Sequence, residues 1–112
     1  FAMTPRDGAL CVERLVKCIA ANGCGPEGAA PAVLVIAPAP LVELGWLGEI
    51  FVGGAAKSRA LAAPLAEVAA RNGAAFLDAA TVAAVDAEEG VHLSADAHRA
   101  LGAAVAAEVL RL

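Results

Sequence analysis

Two histidines occur in the sequence, His92 and His98, and only His92 stands where acid–base chemistry is expected. It lies in Glu89-Gly90-Val91-His92-Leu93-Ser94, a loop that follows a strand and precedes a helix. An acid three residues before a histidine, with glycine between them, can fold its carboxylate back onto the imidazole. That contact fixes the ring tautomer and stabilises the imidazolium, which a general base beside a serine hydroxyl requires. Asp86 is the other candidate for the orienting acid, and Glu89 is preferred. For His92 the bland alternative is a plain capping or loop histidine. His98, six residues on and within the last helix, is assigned a structural hydrogen-bonding role. Glu88 reads as a solvated charge, and Asp78, at a strand end, as a loop acceptor. Ser58 falls on a helix and Ser94 at a helix N-cap. A His92–His98 metal pair lacks further ligands, and there is no Cys-x-x-Cys pair. No metal or other cofactor is expected.

These residues must be held by a small scaffold. The chain has 112 residues and a mass of 11.1 kDa, enough for one small domain or part of a larger one. Its hydrophobic fraction of 60 % is inflated by alanine, and the larger apolar residues cluster in short runs. The longest apolar stretch, Ala29 to Val42, is interrupted by three prolines and is too short to cross a membrane. A net charge of −4 and an aromatic content of 4 % argue against a nucleic-acid or anionic-membrane binder. The three cysteines, Cys11, Cys18 and Cys24, do not form a disulfide framework. Cys11 and Cys18 are expected as buried reduced thiols on one apolar stripe, whereas Cys24 falls in a Gly-rich turn. No signal-peptide pattern is visible, and a cytoplasmic location is expected. The sequence opens on Phe1-Ala2-Met3, and the true start is expected upstream.

Thr4-Pro5 starts a helix with Leu10, Val12, Leu15, Val16 and Ile19 at helical spacing, ended by a left-handed cap at Asn22-Gly23. The unalternating run Ala32 to Ile36 predicts a strand buried on both faces, hence a parallel sheet, closed by Ala37-Pro38-Ala39-Pro40. Leu41 to Phe51 reads as a short helix or lid. Its residues Trp46, Leu47, Ile50 and Phe51 suit an acyl-binding wall, a subunit contact favouring a homo-oligomer, or a buried satellite cluster. A second long helix is expected from about Ala55 to Arg71, with Pro64 as a kink or late start and Asn72-Gly73 as the cap. Ala74 to Asp78 predicts a second strand. Ser94 then caps a helix from Ala95 to Leu110. The alternation means α/β. Two strands do not complete such a sheet, so residues 1–112 are expected to be the C-terminal part of one domain, its N-terminal part missing.

The block Glu89-Gly90-Val91-His92-Leu93-Ser94, followed by Asp96-Ala97-His98-Arg99-Ala100-Leu101-Gly102, resembles the last conserved block of the SGNH (GDSL) hydrolases. Val33 to Leu41 is similar to that family's fourth strand and its proline-rich exit. Gly54 to Leu61 and Ala75 to Ala79 look like its arylesterase branch. The resemblance implies a flavodoxin-like three-layer α/β/α sandwich and ester hydrolysis by a Ser-His-acid triad. It implies that His92 is the base and Glu89, in place of the usual Asp, its orienting acid. In this family the serine, and the Gly and Asn of the oxyanion hole, stand in earlier blocks that this sequence does not contain. The partner so implied is the N-terminal part of the same domain, without which the chain is expected to be marginally stable and inactive. The substrate so implied is a small-molecule ester with a short acyl or aryl group. The alternatives are an acyltransferase or carbohydrate deacetylase on the same scaffold, or a non-catalytic α/β binding module.

Overall fold

The computed structural model describes residues 2–112. The first helix, α1, spans Pro5–Ala21. Thr4 Oγ1 accepts from the Asp7 N–H at 3.2 Å, and Asp7 Oδ2 accepts from the Thr4 N–H at 2.8 Å. This reciprocal box, with Pro5 in the first turn, satisfies donors that a helix start leaves open. The far end is closed differently from the sequence expectation. Asn22 is extended rather than left-handed, at φ −109° and ψ 121°, and its side-chain amide donates to the Cys18 carbonyl at 2.6 Å.

Strand β1 covers Leu34–Ala37 and β2 covers Ala75–Asp78. They pair in parallel, with Val35 opposite Phe76 and Ala37 opposite Asp78. Between them run α2 (Gly45–Ile50), α3 (Gly54–Arg59) and α4 (Ala62–Arg71). The expected single helix from Ala55 to Arg71 is therefore two. The break falls at Ala60-Leu61, and Pro64 lies in the first turn of α4, where its missing N–H costs no helical hydrogen bond. Gly73, at φ +67°, supplies the left-handed turn into β2. The last helix, α5, spans Ala95–Val109 with Ser94 as N-cap, its Oγ accepting from the Ala97 N–H at 3.2 Å.

One face of the sheet is a finished core. Val35 and Ala37 meet Leu65, Val68 and Ala69 of α4 and Ala9 and Val16 of α1. Val68 is wholly buried. Glu13 and Arg71 clamp the two helices outside this core. Arg71 donates to both Glu13 oxygens, at 2.9 and 2.8 Å, and Lys17 and Asn72 join the same carboxylate. Arg71 is the main reason that the Glu13 carboxyl is held down at about 2.

The other face is open, so β1 is not buried on both sides as its composition suggested. Ile36 is 39 % exposed, α5 contributes no buried residue, and an apolar groove of about 310 Å³ runs past Ile36, Pro38, Val91 and Leu101. The radius of gyration, 15.4 Å, exceeds the roughly 13 Å of a compact domain of this length. Two further expectations fail on the surface. Cys11 and Cys18 are exposed, like Cys24, because the core stripe of α1 passes through Ala9 and Val16 and leaves both thiols outside it. Trp46 and Ile50 are also exposed, at 69 % and 61 %, so the α2 region is no buried satellite cluster.

Candidate functional site

The loop from Val85 to Leu93 is drawn closed at its base. Val85 and Leu93 form an antiparallel bridge, and the Asp86 N–H donates to the His92 carbonyl at 2.7 Å. Within it the Gly90 N–H donates to the Asp86 carbonyl at 2.8 Å. Gly90 has φ +80°, and a Cβ built on it would lie 2.2 Å from the Val42 carbonyl oxygen. Only glycine fits there on both counts. The turn at Gly90 lets the chain reverse between Glu89 and His92, which brings their side chains together.

Glu89 Oε2 lies 2.7 Å from His92 Nδ1. Glu89 Oε1 accepts from the backbone N–H groups of His92 and Val91, the second at 3.3 Å. The carboxylate is thus fixed from the backbone side while its other oxygen holds the ring. These bonds, the imidazole contact first, keep the Glu89 carboxyl below the usual carboxylate range, against a smaller opposing effect of burial. With Nδ1 turned to the carboxylate, Nε2 faces outward, and the His92 side chain is 77 % exposed. Among the described residues Nε2 has no hydrogen-bond partner. The arrangement can present a neutral ring nitrogen to an incoming hydroxyl and hold the positive charge that results.

Asp86 does not approach the ring with its side chain. Its Oδ1 accepts from the Glu88 N–H at 2.7 Å, so it shapes the loop. Asp78 Oδ1 accepts from the Ala80 N–H at 3.0 Å, the loop role expected of it. His98 is exposed on α5 and makes no side-chain hydrogen bond among the described residues, so its expected structural bond is absent. The helical spacing that places it on α5 turns it to solvent. Ser94 is engaged as a cap, and Ser58 accepts from the Leu41 N–H at 3.1 Å and donates to the Ala55 carbonyl at 3.2 Å. Among the described residues no group of three or more His, Cys, Asp or Glu is placed to hold a metal ion, and no helix is long and apolar enough to cross a membrane.

Sequence reasoning read Leu41 to Phe51 as a short helix or lid, but its first residues, Leu41–Leu44, are non-helical and touch the loop. The Val42 N–H donates to the Gly90 carbonyl at 2.7 Å, and Glu43 Oε1 accepts from the Ala55 N–H at 3.0 Å. Glu43 and Ser58 stand beside other polar residues of the same stretch, Glu49 and Lys57, so no local signal singled them out.

No family profile matches the sequence, and no curated protein matches it significantly. Solved structures do. Est24, a carbohydrate acetylesterase from Sinorhizobium meliloti, superposes with a TM-score of 0.90 at 33 % identity, over 99 % of this chain and 54 % of its own. The aryl esterase of M. smegmatis gives 0.88 at 35 %, over 100 % of this chain and 54 % of its own. A carbohydrate acetylesterase family member from Sinorhizobium meliloti gives 0.84 at 29 %, over 97 % and 54 %. These esterases belong to the SGNH hydrolase family, and the chain shares their fold over nearly all of its residues while spanning about half of their length.

Proposed function

We propose that this chain is the base-bearing, C-terminal part of a carboxylic-ester hydrolase. The observation that carries it is the 2.7 Å contact between Glu89 Oε2 and His92 Nδ1, with Nε2 left facing outward. His92 Nε2 takes the proton of a serine hydroxyl supplied by the rest of the domain. The serine oxygen attacks the ester carbonyl, and the tetrahedral intermediate collapses as His92 returns the proton to the leaving alcohol. A water molecule then attacks the acyl-enzyme by the same path, giving its proton to Nε2, and His92 returns that proton to the serine oxygen as the acid is released. Glu89 keeps the proton of the neutral ring on Nδ1 and balances the charge of the imidazolium.

The rest of the domain docks on the open face of the sheet, over Ile36 and the groove beside it, and completes a three-layer sandwich. Two observations support this: one sheet face is left uncovered, and the matching structures are nearly twice as long. The substrates proposed are esters with short acyl groups on aryl or carbohydrate alcohols, from the names of the structures it matches. The test is hydrolysis of p-nitrophenyl acetate by the complete protein. His92→Ala is expected to lower kcat by several orders of magnitude with little change in KM. An unchanged kcat would remove the assignment of the base.

A further inference from the structure

The strap Leu41–Leu44 joins α3 to the loop that carries Glu89 and His92. On the α3 side it is held twice. The Ser58 hydroxyl accepts from the Leu41 N–H at 3.1 Å while donating to the Ala55 carbonyl at 3.2 Å, and the Glu43 carboxylate accepts from the Ala55 N–H at 3.0 Å. A carboxylate on a free amide of a helix's first turn is well matched in charge. On the loop side it is held once, by the Val42 N–H on the Gly90 carbonyl at 2.7 Å. The fit at that point is tight, since the Val42 carbonyl oxygen occupies the place a Gly90 side chain would take. Leu44 Cδ1 lies 3.4 Å from the same position. Gly90 stands directly after Glu89 and two residues before His92. Any sideways drift of the strap therefore moves the backbone N–H groups of Val91 and His92 that hold Glu89 Oε1.

We propose that Ser58 and Glu43 are positioning residues for the Glu89–His92 pair, acting through the strap Leu41–Leu44. The proposal rests on the reading of His92 as the base. Neither residue touches the ring. Their effect is to fix where the Gly90 carbonyl, and with it the Glu89 carboxylate, comes to rest. Misplacement by about 1 Å of a catalytic group costs about 100-fold in rate, so a partial loosening is expected to cost about 10- to 100-fold.

The experiment compares Ser58→Ala and Glu43→Ala with the conservative Ser58→Thr and Glu43→Gln in the complete protein, each first shown to be folded by circular dichroism. Three quantities are read: kcat and KM on p-nitrophenyl acetate, the His92 ring tautomer by nitrogen-15 NMR, and the titration midpoint of Glu89 by carbon-13 NMR. The alanine variants are expected to lower kcat about 10- to 100-fold with KM within about twofold. They are also expected to mix the His92 tautomers and to raise the Glu89 midpoint toward the ordinary carboxylate range. The conservative variants, which keep an acceptor oxygen, are expected to restore all three. Folded alanine variants with unchanged kcat, tautomer and Glu89 midpoint would overturn the proposal. If Ser58→Ala does not fold, Glu43→Ala, altered at the exposed end of the strap, decides alone. His92→Ala run alongside separates the two readings. Full activity in it sinks the assignment of the base, while the NMR measurements still judge the strap.

Discussion

Replacing Glu89 by glutamine changes one atom in the site and inverts its hydrogen-bond logic. Glu89 Oε1 accepts from two backbone N–H groups, so in Glu89→Gln the amide oxygen stays there. The amide nitrogen, a donor, then occupies the position of Oε2, 2.7 Å from His92 Nδ1 in the parent. Two donors cannot share that contact, so the ring must turn its Nδ1 lone pair toward the amide and carry its proton on Nε2. A ring protonated at Nε2 cannot take a proton from a serine. The corresponding change in a Ser-His-Asp triad costs about 10⁴-fold in kcat. Here Glu89 is partly open to water, which lets the ring escape its wrong tautomer more readily. The expected loss is about 10³- to 10⁴-fold, or about 4 to 5.5 kcal/mol of barrier. The assay is kcat on p-nitrophenyl acetate with the complete protein, paired with nitrogen-15 NMR of the His92 ring. Asp86→Asn is the control. Its side chain only caps the Glu88 N–H, which an amide oxygen also does, and it should change kcat by less than about threefold. The reasoning is refuted if Glu89→Gln stays within threefold of the parent, and more so if Asp86→Asn takes the loss instead.

Three further outcomes follow from the structure. Gly90→Ala forces a side chain into a left-handed backbone and against the Val42 carbonyl. It should cost at least about 1–2 kcal/mol in urea unfolding, and a midpoint unchanged from the parent would show that the strap yields freely. The Glu13 carboxyl is held below its unfolded value. The stability it contributes is therefore present above the ordinary carboxylate range and lost as the pH falls from about 4.5 to about 2. Glu13→Gln should flatten that part of the stability profile, and a profile parallel to the parent's would contradict the clamp. All three thiols should react with Ellman's reagent in the native protein at rates near that of a free peptide, and a thiol silent until unfolding would contradict the exposed placement of Cys11 and Cys18.

Much of this molecule is legible where local chemistry decides. Thr4-Pro5 and Ser94 start their helices as their side chains dictate, and both strands appear within two residues of the expected positions. The turn of Glu89 back onto His92 follows from the spacing and from Gly90. What the sequence hid depends on packing between distant parts. Cys11, Leu15 and Cys18 share helical spacing with the core residues of α1, yet the contact with α4 selects Ala9 and Val16 and leaves the other three exposed. The run through Leu34 to Ala37 reads as buried on both faces, and within this chain only the face of Val35 and Ala37 is covered. Ser58 and Glu43 act across 17 and 12 residues, and no local pattern announces such bonds.

The most direct test of the central claim is fluorophosphonate labelling of the complete protein, read by peptide mass spectrometry with and without His92→Ala. The account predicts one modified serine, lying outside residues 1–112, and a labelling rate that falls by about a thousandfold or more when His92 is removed. Equal labelling in the two proteins, or an adduct on Ser58 or Ser94, would contradict it.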